Sequence, residues 1–269
     1  MTQVEFAAQG LALSREAGVL DQMHGYFVEH GNRLYKTCAM FGLLERPLGD
    51  VLEIGPFYGY TPFLLRANAF SYTVLEGDDP AAYPLKPLYQ KHQLAVQYVD
   101  LFELFGAAPA ATHALPFGEA SFDTVLCWET MEHFNFNPVK FVRELRRVLK
   151  PGGRAYITVP NKASFQALLR LAFGRAEDHL IRPYFTFEDY RCNGRKVFYG
   201  FHWREYSRPE LALLFGTAGF KVRQSGTFVA FQTPVEKPSV PRRLARAANT
   251  VLAGVFRRYG THVCLIAEK

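Results

Sequence analysis

The sequence lacks the features that mark membrane-spanning, secreted and disulfide-stabilised proteins. No apolar run approaches the roughly 20 residues that cross a bilayer, and residues 1–6 are polar and acidic, unlike a signal peptide. The four cysteines are scattered without a Cys-x-x-Cys pair, and Cys127 and Cys264 fall in apolar runs, where we expect inert core thiols. These absences favour a cytoplasmic protein with reduced thiols.

Common motifs for metal ions and for phosphate-bearing nucleotides are also missing. The sequence has no His-x-x-x-His pair and no Gly-Lys-Ser/Thr, and the adjacent Asp78 and Asp79 would point apart in an extended segment. A nicotinamide dinucleotide fingerprint needs three glycines, but its positions hold Gly55, Phe57 and Tyr60. We therefore expect no metal site and no nicotinamide cofactor.

The most informative segment is residues 51–59, Val-Leu-Glu-Ile-Gly-Pro-Phe-Tyr-Gly. It is typical of a short buried strand that carries Glu53, followed by a turn with Gly55 and Gly59 that leads into a helix. Glycine has no Cβ, so such a turn lets the backbone approach a ligand closely. A second strand ends at Glu76, where a carboxylate can bind the hydroxyls of a ribose held by the first turn.

These residues and the segments after them resemble the class I S-adenosylmethionine-dependent methyltransferases, especially those of the small-molecule type. The first motif of that family, an acid, an apolar residue and Gly-x-Gly-x-Gly, is present with Phe57 in place of the middle glycine. The resemblance covers residues 49–161 in order. Its later segments are Leu-Pro-Phe at 115–117, Ser-Phe-Asp-Thr-Val-Leu at 121–126, Glu-Thr-Met-Glu-His at 129–133 and the helix and turn at 141–153.

The resemblance implies an α/β, Rossmann-like fold with a mostly parallel seven-stranded sheet, flanking helices and an insertion after strand five. We expect a single domain over residues 1–269. Its parts would be an N-terminal helical cap at 1–48 (helices 3–24 and 25–45), a cofactor-binding core at 49–161, an acceptor-site insertion at 162–206, and a C-terminal helix and strands at 207–269.

The resemblance also implies S-adenosylmethionine as the cofactor. We expect Glu76 to accept hydrogen bonds from both ribose hydroxyls, and the backbone of residues 55–59 to face the methionine part. The adenine would lie near residues 75–77 and 112–114. The cofactor-binding residues assigned in this way are Glu53, Gly55, Phe57, Gly59, Glu76, Gly77, His113, Ala114, Trp128 and Glu129.

Methyl transfer from a sulfonium is an in-line displacement that depends mainly on positioning. If the nucleophile is a hydroxyl, a base must also remove its proton. The candidate bases are His133, His202, Glu132 and Tyr206. We favour His133 because it follows strand four at a rigid strand end. His202 lies in the insertion with Glu205 as a potential orienting partner, and a structural role for each histidine is an open alternative.

The acceptor is suggested by charge and by aromatic residues. Residues 1–100 carry 7 Lys/Arg and 11 Asp/Glu, a net charge of −4, whereas residues 101–269 carry 24 and 14, a net charge of +10. Residues 162–204 are crowded with aromatic and arginine side chains, which suit sugar or planar rings and acidic groups respectively. We therefore expect O-methylation of a small molecule or a glycan, including a glycolipid, with an acidic group. The alternatives are C- or N-methylation of a quinone-like or aromatic acceptor, and a non-catalytic binding module.

A basic amphipathic helix is expected at residues 238–259, with arginines at both ends of an apolar stripe. Such a helix can lie on a membrane, here the inner membrane surface, or pack on its own domain. No nucleic-acid partner is expected, because no recognised motif or continuous basic stripe accompanies the charge. The sequence leaves the oligomeric state open.

Overall fold

The structure is a computed structural model. It describes residues 1–18, 20–77, 85–106, 112–174, 191–192, 195–196, 202–230, 247, 250–251 and 258–269. The helices of this part are α1 (Gln3–Glu16), α2 (Leu20–Met40), α3 (Thr61–Leu65), α4 (Lys86–Lys91), α5 (Leu101–Phe105), α6 (Pro138–Val148), α7 (Phe165–Ala172) and α8 (Arg208–Thr217). The strands are β1 (Gly49–Ile54), β2 (Ala69–Gly77), β3 (Ala95–Val99), β4 (Phe122–Trp128), β5 (Leu149–Pro160), β6 (Arg191–Cys192), β7 (Arg195–Lys196), β8 (Lys221–Phe228) and β9 (His262–Glu268).

Seven of these strands form one sheet in the order β3-β2-β1-β4-β5-β9-β8. The pairs among β1 to β5 are parallel, while β9 is antiparallel to both β5 and β8. The predicted Rossmann-like, mostly parallel seven-stranded sheet is therefore confirmed. The strand order reverses between β1 and β4, and ligands of such sheets bind at the carboxyl ends of the strands at that reversal.

Alternate residues of the central strands pack into two separate cores, one on each face of the sheet. On β4, Val125 and Cys127 belong to the core that α6 and α8 cover. Leu126 and Trp128 belong to the core that α2 and the segments around α3 and α4 cover. Because both faces are buried, the central strands are mostly apolar and hold the loops at their carboxyl ends in fixed positions.

The ends of two helices follow directly from their sequences. The side chain of Asn137 accepts a hydrogen bond from the N–H of Val139 and begins α6, with Pro138 in the first turn. At the start of α8, the carboxylate of Glu210 accepts hydrogen bonds from the N–H and the hydroxyl of Ser207, at 2.8 and 2.7 Å. These contacts form a capping box, which a serine followed three residues later by a glutamate predicts.

The structure corrects several predicted boundaries. The cap helices are not 3–24 and 25–45, because Gly18 adopts a left-handed φ of 69° just after α1 ends. Strand β5 begins at Leu149, inside the segment 141–153 that was expected to be helix and turn, since Leu149 already pairs with Phe122 of β4. The short helix α5 was not predicted, and the carboxylate of Asp100 begins it by accepting two backbone N–H groups.

Two predicted segments fall mainly outside the described residues. Of the insertion at 162–206, the structure describes 162–174, 191–192, 195–196 and 202–206. Of the amphipathic segment at 238–259, it describes residues 247, 250–251 and 258–259. Among the described helices, none has the length and apolar composition needed to cross a bilayer.

Candidate active site

The loop after β1 has a backbone conformation that is unusual for its sequence. Gly55 has a φ of 62°, and Phe57 and Tyr60 also have positive φ values, of 47° and 55°. A Cβ on Gly55 would lie 3.1 Å from both Cγ2 and Oγ1 of Thr130, so the absence of a side chain allows the two loops to touch. Phe57 replaces the expected glycine but keeps a glycine-like conformation, at a cost of about 1–2 kcal/mol. Strain of this kind is concentrated at functional sites.

Glu76 lies at the end of β2, beside this loop. Its side chain is buried, and Oε2 accepts a hydrogen bond of 3.1 Å from the backbone N–H of Phe57. The carboxylate thus connects the ends of β1 and β2, and Gly77 follows it as the last residue of β2. A buried carboxylate at this point of the sheet fits the predicted role of Glu76 toward a ribose.

Glu53 points into the core behind the loop. Its carboxyl oxygens accept hydrogen bonds of 2.5 Å from the hydroxyls of Thr61 and Tyr72. Burial raises the pKa of Glu53 to about 7, although the two hydrogen bonds oppose that rise. Glu53 therefore ties β1 to β2 and to the start of α3, and its predicted contact with the cofactor stays a prediction.

At the exit of β4, Glu129 is held by two basic side chains from distant segments. Its Oε2 lies 2.7 Å from Nη1 of Arg33 on α2 and 3.4 Å from Nε2 of His262 on β9. Burial by itself would raise the pKa of Glu129, but His262 and Arg33 outweigh it and keep the pKa below its usual value. Glu129 also has a left-handed φ of 52°, and Trp128 beside it is buried.

The cap helix α2 lies directly over the β1 loop. The ring of Tyr26 is 5.4 Å from that of Phe57, edge to face, and the ring of His30 is 4.5 Å from that of Tyr26. Burial, with a smaller contribution from Arg33, lowers the pKa of His30 to about 4. Together with the ion pair between Arg33 and Glu129, these contacts fix the cap above the ends of β1 and β4.

Both candidate catalytic histidines lie in one cluster beyond β4. The ring centroids of His133 and His202 are 5.0 Å apart, and Nε2 of His133 lies 4.0 Å from Oε1 of Glu132. Nδ1 of His202 lies 3.3 Å from Oε1 of Glu205, so the predicted pairing of these two residues is confirmed. The N–H groups of residues 203 and 204 donate to the carbonyl of Glu132, at 2.7 and 3.2 Å, which brings the end of the insertion against the turn after β4.

Glu132 is the least compensated acid of the site. Its side chain is 1% exposed, and its Oε2 has no hydrogen-bond partner among the described residues. Burial, followed by repulsion from Glu129, raises the pKa of Glu132 well above its usual value. Tyr206, another candidate base, is also buried, which raises the pKa of its phenol to about 12 and makes it a poor base near neutrality.

The predicted adenine region lies between α5 and α6. The N–H of His113 donates to the carbonyl of Leu104, and its Nε2 lies 2.8 Å from Nζ of Lys140. His113 has a left-handed φ of 54° and Ala114 is exposed. No contact described for these two residues joins them to the β1 loop, so their role toward an adenine stays a prediction.

Sequence reasoning missed three contributors to the site. Arg33 and His262 belong to no recognised motif. Thr130 lies in the segment 129–133 but was assigned no role, and its partner Ile54 is remote in sequence. The hydroxyl of Thr130 bonds to the carbonyls of Ile54 and of residue 128, at 3.2 and 3.1 Å, and so joins the ends of β1 and β4. A single sequence carries no signal for such long-range pairs.

The family of the chain is shown by comparison with known proteins. Residues 27–225 match the family model described as a methyltransferase domain. The chain belongs to this methyltransferase family, which confirms the resemblance to class I S-adenosylmethionine-dependent methyltransferases. S-adenosylmethionine is the cofactor of that family.

Curated relatives agree with this assignment, and solved structures agree with the fold. A protein of Mycolicibacterium smegmatis, named as a probable S-adenosylmethionine-dependent methyltransferase, is 28% identical over 65% of this chain and 53% of its own length. The chain thus spans about half the length of the curated relatives it matches. A methyltransferase structure from Thermotoga maritima is 18% identical, with a TM-score of 0.53, and covers 96% of this chain and 99% of its own. A putative methyltransferase of Haloferax volcanii has a TM-score of 0.54 at 18% identity, covering 98% and 97%. These structures support the fold.

Proposed function

We propose that this protein transfers a methyl group from S-adenosylmethionine to a hydroxyl oxygen of a small molecule or a glycan. The observation that carries the proposal is the grouping of His133, His202 and Glu132 at the carboxyl end of β4. This cluster adjoins the loop after β1, because Thr130 bonds to the carbonyl of Ile54. A hydroxyl nucleophile needs help with its proton, whereas the lone pair of a neutral amine can attack without such help.

The described residues fit the cofactor. Gly55 and the left-handed Phe57 leave the loop backbone open to close approach, and Glu76 presents a buried carboxylate beside that loop. We assign the ribose hydroxyls to Glu76 and the methionine part to the backbone of residues 55–59. When bound, S-adenosylmethionine supplies an electrophilic methyl group on its sulfonium.

The chain itself supplies orientation and a proton acceptor. Helix α2, held by the ion pair between Arg33 and Glu129, covers the loop and excludes water from that side. The side chain of His133 is 26% exposed and that of His202 is 32% exposed, so an acceptor that enters from solvent can reach both rings. His133 is our proposed base because it follows the rigid strand β4, with His202 as the alternative.

The nature of the acceptor rests on the sequence of the insertion. Its arginines suit a carboxylate or phosphate, and its aromatic rings suit a sugar or a planar group. An acidic sugar or glycolipid therefore fits best, followed by a phenolic acid. Preference for neutral, purely apolar acceptors would contradict this reasoning.

Isotope labelling tests the reaction even though the acceptor is unidentified. The protein is incubated with cell extract and S-adenosylmethionine that carries a ¹³C-labelled methyl group, and the new methyl signal is read by NMR. We expect the chemical shift of a methyl group on oxygen. A signal from methyl on nitrogen or carbon would refute O-methylation and favour the alternative acceptor classes.

Calorimetry tests the cofactor assignment separately. Hydrogen bonds to a charged group contribute about 1.5–3 kcal/mol, so Glu76→Gln should weaken binding of S-adenosylmethionine about tenfold to a hundredfold. Glu16→Gln is the control, because Glu16 at the end of α1 pairs with the exposed Lys91 of α4. Equal affinity of both variants would overturn the role of Glu76.

A further inference from the structure

We propose that Glu132, His133 and His202 form a binding site for a divalent transition-metal ion. This inference rests on the proposed function and states how the cluster acts on the acceptor hydroxyl. It runs against the expectation from sequence that the chain has no metal site. That expectation came from the lack of paired ligands at short spacing, whereas His202 comes from the insertion, 69 residues beyond His133.

The geometry of the three side chains supports an ion between them. One ligand atom from each residue lies within 4.8 Å of the others. Ligands at about 2.0–2.2 Å from an ion are separated by roughly 3–4 Å. The side chains would therefore need to move inward by about 1 Å or less, which rotation about their side-chain bonds allows.

The buried carboxylate is the second observation that points to a ligand. Oε2 of Glu132 has no hydrogen-bond partner among the described residues, although the side chain is only 1% exposed. A carboxylate oxygen buried without a partner is costly, and a cation at the cluster would remove that cost. Oε1 of Glu129 also has no hydrogen-bond partner among the described residues, but Arg33 lies 2.7 Å from Oε2 and compensates the charge, so we do not include Glu129 among the ligands.

The surroundings of His202 have the arrangement found around metal-binding histidines. Glu205 lies 3.3 Å from its Nδ1 and favours the tautomer with the proton on that nitrogen. The lone pair is then on Nε2, in the form that binds a metal ion. The hydrogen bonds from residues 203 and 204 to the carbonyl of Glu132 hold His202 near the other two ligands.

The three ligand groups indicate which class of metal ion would bind and what the ion would do in the reaction. Two imidazoles and one carboxylate suit Zn²⁺, Co²⁺ and related ions better than Mg²⁺, which prefers oxygen. Three protein ligands leave a coordination position for another molecule. An acceptor hydroxyl at that position would lose its proton to water more easily. His133 would then be a ligand, and the ion would replace the histidine base of the proposed function.

Cobalt absorption spectroscopy tests the site without an acceptor. The full-length protein is stripped with a chelator and titrated with Co²⁺, whose visible spectrum changes when imidazole nitrogens bind it. We expect saturable binding that Zn²⁺ displaces and Mg²⁺ does not. Glu132→Gln and His202→Ala should each weaken Co²⁺ binding at least about a hundredfold, and Glu205→Gln about tenfold to a hundredfold.

A matched control comes from a second histidine–carboxylate pair. His92 lies 3.0 Å from Glu16 on the surface, and His92→Ala should leave Co²⁺ binding unchanged. Absence of a spectral change in the wild type, equal binding by all variants, or Mg²⁺ binding as tight as Zn²⁺ binding would overturn the inference. Calorimetry with S-adenosylmethionine separates the two proposals. If S-adenosylmethionine binds and Co²⁺ does not, only the metal site is refuted. If Co²⁺ binds and S-adenosylmethionine does not, only the proposed function is refuted.

Discussion

Glu53 should make the stability of this protein fall as the pH rises toward neutrality. Its pKa is raised to about 7 in the folded protein, from an ordinary value of 4.5, mainly by burial. The folded state therefore holds a proton that the unfolded state has already released between these values. The free energy of unfolding is highest below the unfolded pKa and declines as the pH rises through the folded one, by about 3 kcal/mol in total.

Glu53→Gln removes this titration while keeping the size of the side chain. The amide can disturb the hydrogen bonds from Thr61 and Tyr72, but that cost is the same at every pH. The difference in stability between variant and wild type is therefore the useful quantity. It should move by about 2.5 kcal/mol in favour of the variant between about pH 5 and about pH 8, because only the wild type must then ionise a buried carboxyl or retain its proton.

Urea denaturation of both proteins at the two pH values measures this difference. Glu210→Gln is the control, since Lys162 and Ser207 outweigh burial and lower the pKa of Glu210 to about 2, so this group titrates below the window. Its stability difference from the wild type should change little between the two pH values. If the stability difference for Glu53→Gln also changed little between the two pH values, the pKa of Glu53 would not be raised. The described burial of its carboxyl group beside Thr61 and Tyr72 would then be wrong.

Two further predictions concern stability. Gln93 lies just after the end of α4, has a left-handed φ of 55° and is exposed. Gln93→Gly should therefore stabilise the protein by about 1 kcal/mol and raise the melting temperature by about 2–4 °C. Gln93→Ala should give no such gain, and a lower melting temperature for the glycine variant in calorimetry would contradict the argument. Arg33→Met leaves the carboxylate of Glu129 with one basic partner fewer and should destabilise by about 3–5 kcal/mol. Adding Glu129→Gln should recover part of this loss in chemical denaturation, and the same loss in the double variant would show that the charge of Glu129 is not the cause.

The sheet could be predicted from the sequence because its signals are local. Each central strand is a short apolar run with a turn after it, and the acidic residues Glu53 and Glu76 mark the ends of two of them. The boundary of the cap helices was wrong because a helical period runs through residues 17–24 without a strong break apart from Gly18. The short helix α5 was missed because it has little more than one turn of sequence to reveal it.

The site was only partly predictable, because its main contacts are long-range. His202 and Glu205 are three residues apart, so their pairing could be anticipated, whereas Arg33 and Glu129 lie in different parts of the chain, the cap and the core. The position of Glu53, the acid of the first motif, could not be predicted in full either. From sequence, Glu53 is one of several acids at strand ends, and only the fold shows that its carboxyl group faces Tyr72 in the core.

The exit of β4 explains why the cap and the insertion both belong to the site. Two acids, Glu129 and Glu132, are buried there within one turn of chain, and two buried acids so close together cannot both remain charged without cations. The cap supplies Arg33 to the first acid, and His262 of β9 lies 3.4 Å from it. His133 and His202 form the cluster with the second acid. Loss of the cap would take the arginine away from Glu129, so the charge of this buried acid depends on the presence of the cap.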